Sequence, residues 1–102
     1  MLIITGIIKA DSEQEITKVK DALCRRAVKS RQDAGNIDYA FSINMEDSTE
    51  IRLIEKWESE ADLQAHLAIP DDEFNTAMAT AKITSARVIS NEAGTEKELL
   101  SR

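Results

Sequence analysis

The sequence predicts an α+β fold of the ferredoxin-like kind, with strands and helices in the order β-α-β-β-α-β. Three observations predict it. The chain opens on LIITGIIKA, a β-branched run typical of a strand. NIDYAFSINM alternates apolar and polar residues strictly, and a short polar break joins it to a second alternating run, TEIRLIEKWE. Amphipathic helical stretches follow the first strand and this hairpin, and ITSARVIS closes the pattern as a last strand. The chain's 102 residues predict one domain, spanning 1–91, with 92–102 as a polar tail.

In the first strand Leu2, Ile4 and Ile8 share one face and Ile3 and Ile7 the other, so both faces want apolar cover. Asp11 or Ser12 caps the next helix, and Glu13 and Glu15 suit its first turn. Ile16, Val19, Leu23 and Ala27 form its stripe, and it is expected to fade near Gln32 and stop at Gly35. Cys24 is expected to be a buried or half-buried thiol. Arg25, Arg26, Lys29 and Arg31 read as a solvated helix end whose cations complement the dipole. In the hairpin, Ile37, Tyr39, Phe41, Ile43 and Met45 share one face of the first strand, and Ile51, Leu53, Glu55 and Trp57 one face of the second.

Ser59 is a strong N-cap, with Asp62 three residues on, for a helix carrying Ala61, Leu63, His66 and Leu67. Pro70 breaks it. Asp71 and Asp72 start a second segment, with Phe74, Ala77, Met78 and Ala81 as its stripe. The last strand covers residues 83–90. After it, Thr95 with Glu98 is either the cap of a short helix or part of a frayed end. Two helices cover one face of a four-stranded sheet, so the other face needs a second copy of the chain, most simply a two-fold dimer.

Composition narrows function by exclusion. A net charge of −6 argues against a nucleic-acid partner, which requires clustered cations. One cysteine and one histidine exclude a zinc or iron–sulfur site, and isolated Gly6, Gly35 and Gly94 form no phosphate-binding loop. No motif for a tightly held organic cofactor is present, and none is expected. A lone cysteine fits a reducing cytoplasm. MLIITGIIKA is too short to span a membrane and lacks the features of a secretion signal.

The remaining chemistry sits in IEKWESEADLQAH, which holds the only tryptophan and the only histidine. Tyr39 and Phe41 on the neighbouring strand stand ready to line a cleft with Trp57. Aromatic walls with one histidine and one carboxylate, Glu55, suit a flat, apolar, oxygenated ligand. Each residue also has a packing reading: Trp57 as core with its N–H bonded locally, Glu55 as the cross-strand partner of a cation, and His66 as a partly exposed helix residue bonded to a carbonyl or carboxylate.

The run IEKWES followed by ADLQAHL resembles the antibiotic biosynthesis monooxygenase domain, most closely its quinol monooxygenase branch. Gly35 to Tyr39 matches the family's glycine and aromatic at the entry to a strand, and the likeness extends over residues 1–90. The resemblance implies a homodimeric α+β barrel and an oxygen-dependent, cofactor-independent oxidation of a small electron-rich aromatic molecule, with no metal. In that reading His66 takes a phenolic proton, and Glu55 orients His66 or a water. Trp57 and Tyr39 confine the ring, with Phe41 and Phe74 completing the lining. A non-catalytic dimeric binding module is the alternative. The sequence also departs from particular branches. PDDEF replaces the quinol branch's second histidine. NTAMATA, and TGI around Gly6, replace the heme-degrading branch's axial histidine and asparagine. Leu53 replaces the anthrone-oxidising branch's asparagine.

Overall fold

The structure, a computed structural model, describes residues 1–102. Strand β1 (Leu2–Ala10) leads to helix α1 (Glu13–Ser30), the hairpin β2 (Asn36–Asn44) and β3 (Asp47–Trp57), helices α2 (Glu60–Leu67) and α3 (Asp72–Thr80), and strand β4 (Ile83–Glu92). The sheet order is β2-β3-β1-β4, and every neighbouring pair is antiparallel. This is the ferredoxin-like arrangement the sequence predicts. Its second helical layer is split in two because Pro70 cannot continue α2.

The pleat sorts β1 into two faces. Leu2, Ile4, Ile8 and Ala10 are buried toward the helices, while Thr5 and Ile7 are exposed on the other side. Helix-side packing forms two clusters. One gathers Leu2, Ile4, Ala27, Tyr39, Leu53, Leu63 and Trp57. The other gathers Ile8, Ile16, Val19, Leu23, Ile51 and Ala81, and Phe41 packs against both. No helix is long and apolar enough to cross a membrane.

Helix α1 runs to Ser30 and fades through Arg31 and Gln32, as expected, with the Arg31 amide bonded to the Ala27 carbonyl, the Gln32 amide to that of Lys29, and the Ser30 hydroxyl donating back to the Arg26 carbonyl at 2.6 Å. Several expectations are corrected. Gly35 serves the turn into β2, not the helix cap, and it has φ +79°. Cys24 is exposed, because one residue past Leu23 the helix has already turned about 100° off the buried stripe. Ile37, Ile43 and Met45 are also exposed. Helices cover only the middle of β2, so its alternation buries Tyr39 fully and Phe41 in part. Strand β4 runs two residues past the expected end, to Glu92, and no helix forms between Thr95 and Glu98.

Gly35 joins backbone to site. A Cβ there would lie 2.1 Å from Oδ2 of Asp62, the residue whose amide bonds the Ser59 cap. The Gly35 carbonyl also accepts from the Glu58 amide at 2.8 Å. Gly35→Ala is therefore expected to cost about 1–2 kcal/mol from the left-handed backbone alone, and more from displacing Asp62, as read by urea denaturation.

Candidate functional site

Period two along β3 turns Leu53, Glu55 and Trp57 toward the helices. Trp57 is fully buried, and its indole N–H donates to Glu55 Oε1 at 2.9 Å. The chain then turns at Ser59, whose hydroxyl accepts from the Asp62 amide at 3.2 Å and donates to the Asp62 carboxylate at 2.8 Å. That cap sets the phase of α2. His66, seven residues on, returns to the inner side after about two turns. Its ring lies over the indole with centroids 4.7 Å apart, and the Tyr39 ring is 5.6 Å away.

Both ring nitrogens of His66 are engaged. Nδ1 lies 2.7 Å from Asp33 Oδ2, and Nε2 lies 3.4 Å from an Arg26 terminal nitrogen. Guanidinium groups only donate, so in the neutral ring Nε2 accepts and Nδ1 carries the hydrogen toward Asp33. Arg26 also donates to the Tyr39 hydroxyl at 3.1 Å and to Asp71 at 3.3 Å, and its guanidinium carbon sits 4.2 Å from the Phe74 ring centre.

Burial sets the electrostatics. It pushes the Glu55 carboxyl above its ordinary pKa, against the opposing pull of the Trp57 N–H and the positive side of His66 and Arg26. Burial also raises the Tyr39 phenol, and the nearby Glu55 charge adds to it. Burial works against ionisation of Asp71 as well, but the Phe74 amide and Arg26 hold that carboxyl below its usual range.

Two spaces adjoin this network. A cavity of about 40 Å³, room for roughly one water, is bordered by Arg26, Lys29, Asp33, His66, Pro70 and Asp71. A separate apolar groove of about 270 Å³ runs between α1 and β2, past Ile16, Leu23, Cys24, Phe41 and Ile43, with Lys20 on its rim. It adjoins a space of about 210 Å³ beside Ala27, Val28 and Arg31.

The sequence-predicted residues divide between these places. His66, Glu55, Trp57 and Tyr39 converge in one buried group. Phe74 joins it through Arg26. Phe41 meets Tyr39 edge-on at 5.6 Å and lines the groove instead. Glu55 bonds Trp57, not a lysine or arginine, and His66 is buried rather than partly exposed. Three participants are not named as site residues by the sequence: Asp33, which no pattern marks, Arg26, which reads as part of a solvated helix end, and Asp71, which reads as a helix start. Arg26 and Arg31 are not a solvated helix end. Arg26 is mostly buried, and Arg31 donates to the Tyr39 carbonyl at 2.9 Å. A signal for Arg26 existed, since it stands three residues after Leu23 and seven after Val19, on the buried side of α1. Asp33 lies in a turn, where no periodicity marks it. No three His, Cys, Asp or Glu side chains converge in a way that would hold a metal ion.

A family model described as antibiotic biosynthesis monooxygenase matches residues 1–79. The chain belongs to the antibiotic biosynthesis monooxygenase family. Its fold matches a solved candidate antibiotic biosynthesis monooxygenase from Deinococcus radiodurans with a TM-score of 0.90 at 22% identity, over 99% of this chain and 100% of that one. A second such candidate, from Nitrosomonas europaea, matches with a TM-score of 0.80 at 15% identity, over 91% and 98% of the two chains. A Bacteroides thetaiotaomicron protein of unknown function, described as a possible oxidoreductase, gives 0.74 at 13%, over 90% and 96%. A search of curated proteins returned no match. Antibiotic biosynthesis monooxygenase family membership and the fold thus rest on independent comparisons.

Two outcomes follow from the network. Asp33→Ala strands a buried imidazole N–H and is expected to cost about 1–3 kcal/mol. In a His66→Phe background the same change should cost far less, a coupling that urea denaturation of the four proteins measures. Glu55 has a folded pKa above its unfolded value. Its favourable contribution is therefore complete below the ordinary carboxylate range and lost as pH rises through the folded pKa. Glu55→Gln keeps an acceptor for Trp57 without the charge, so its melting temperature relative to the parent should increase from pH 4 to pH 8.

Proposed function

We propose that this protein is a cofactor-independent monooxygenase that oxidises a quinol-like aromatic with O2, and that it works as a homodimer. The observation that carries the proposal is the Asp33–His66–Arg26 arrangement: an imidazole with Nδ1 on a carboxylate and Nε2 facing a cation at 3.4 Å. A phenolic hydroxyl placed at Nε2 loses its proton to His66, and Asp33 stabilises the imidazolium. Arg26 stabilises the phenolate left behind. The anion gives one electron to O2, and the resulting radicals combine at a ring carbon as a hydroperoxide. Loss of water leaves one oxygen on the ring. One quinol and one O2 thus become one hydroxyquinone and one water, with all four electrons supplied by the substrate.

The cavity beside His66, at about 40 Å³, is smaller than an aromatic ring and must widen to admit one. Residues 68–71, between α2 and α3, swing outward, and Arg26 exchanges Asp71 for the substrate anion. Tyr39 and Phe74 contact Arg26 behind the cavity, and a ring meets them only once Arg26 has moved. Trp57 backs the imidazole and Glu55 fixes Trp57, so Glu55 is a positioning residue. The dimer covers the open sheet face, where Ile3, Ile7, Ile54 and Ile89 lie among Lys9, Arg52 and Arg87. A shallow cavity of about 310 Å³ bordered by Thr5, Ile7, Arg52, Arg87 and Ile89 offers that face to a partner.

The test is oxygen uptake with hydroquinones and anthrones, with autoxidation subtracted. His66→Gln should lower turnover by about 10²–10⁴-fold in a protein that still folds, as a cooperative thermal transition reports. Unchanged turnover would remove His66 as the base. Ile7→Asp should shift the sedimenting species from dimer to monomer. A second reading, a binding module without turnover, draws on the size of the cavity and on a network whose buried side-chain polar atoms all have partners. It predicts stoichiometric capture of an aromatic with no oxygen loss.

A further inference from the structure

We propose that the outer face of the sheet holds a small carboxylic acid with an apolar body, its carboxylate on Arg52 and Arg87 and its body on Ile7 and Ile89. The first support is register. Ile7 lies opposite Arg52 on β3 and opposite Arg87 on β4. The three side chains form one row across the sheet, on the face turned away from the helices. The two arginines stand two strand spacings apart, about 10 Å, so both guanidinium groups reach a ligand seated between them. The next row on the same face is Ile54, Thr5 and Ile89. Here lies the hollow of about 310 Å³ bordered by Thr5, Ile7, Arg52, Arg87 and Ile89.

The second support is charge. No carboxylate borders the hollow, although the chain as a whole carries −6. Glu50 stands in the row beyond, opposite Lys9, and is already engaged. It accepts from the Asn44 amide at 2.6 Å and from Arg52 Nε at 2.8 Å, and it lies 3.3 Å from Lys9 Nζ. Asp47 accepts from Lys9 at 3.0 Å. Lys9 and Arg52 are thus balanced by Asp47 and Glu50, and Arg87 is left over, with no ion pair and no side-chain hydrogen bond in the chain. Arg52 gives Glu50 only its Nε–H, and its two terminal nitrogens make no bond.

These donors choose the ligand. A guanidinium matches a planar carboxylate with paired N–H groups. Ile7 and Ile89 are each 38% exposed beside them. A bare anion leaves both in water, whereas an acid with a short apolar body covers them. A polyanion is repelled by the rest of an acidic chain. The site stands on the residues of one chain. It also deepens the dimer part of the reading above, since a second copy laid on this face takes Arg87 out of water, where an unpaired cation is costly. The carboxylate supplies the missing charge.

The test is an NMR titration of the full chain with sodium benzoate at about 0.15 M ionic strength, where exposed charges are screened beyond about 8 Å, with acetate in parallel. Saturable amide shifts are expected around Thr5, Ile7, Arg52, Arg87 and Ile89. Benzoate should bind about tenfold or more tighter than acetate, because only benzoate covers the isoleucines. Arg87→Gln should weaken benzoate at least about tenfold. Lys56→Gln removes the same charge from the same face, about 13 Å along β3 from Arg52, and should change the affinity less than about twofold. Equal losses in both variants would overturn the proposal, since a diffuse field needs no site. So would acetate binding as tightly as benzoate, or benzoate binding that survives Arg87→Gln and shifts Arg26 and His66 instead. Sedimentation of the same samples separates this inference from the dimer. A dimer with no benzoate site overturns the inference alone, and a monomer that binds benzoate through Arg87 upholds it without the dimer.

Discussion

Burying the indole of Trp57 is the constraint on which this structure depends. A fully buried indole needs an acceptor for its N–H, and the only side chain bonded to it is Glu55, two residues earlier on the same face of β3. That solution brings a carboxylate into the helix-side core, where burial raises its pKa. The compensation comes from across the layer. The His66 ring lies tilted against the indole and Arg26 lies beyond it, so the buried carboxylate shares its surroundings with one fixed cation and one imidazole. The packing of one aromatic residue thereby organises the polar groups around it.

Arg26 connects the parts of that centre. It touches Tyr39 on β2, His66 on α2, Asp71 at the start of α3 and the Phe74 ring. A lysine would not substitute, because one ammonium lacks the planar set of donors that meets partners in several directions. The same residue borders the cavity beside His66 and brings a largely buried guanidinium to it.

The sheet divides its work by face and by edge. Its inner face meets α1 and carries both core clusters, whereas its outer face mixes isoleucines with arginines and lysines. Strand β4 gains little cover from its own helices, with only Ile83 half-buried. A chain of this length therefore completes the centre around Trp57 by itself, yet leaves a face, two edges and a leucine-bearing tail without partners.

Local pattern by itself determined the order of elements, the buried faces of β1 and β3, the Ser59 cap and the break at Pro70. It did so because strand and helix periods, capping and proline geometry act within a few residues. The same pattern put His66 and Trp57 close together, since one capped turn separates them. What only the tertiary structure decided are the contacts over long separations: Asp33 with His66 across 33 residues and Arg26 with Asp71 across 45. Ile43 and Met45 share their strand's alternation with Tyr39 yet meet no helix, and Cys24, expected to be buried or half-buried, is exposed. A period states which side chains point the same way. Whether anything lies there to meet them depends on how far the opposite element extends, and that is a property of the packed chain.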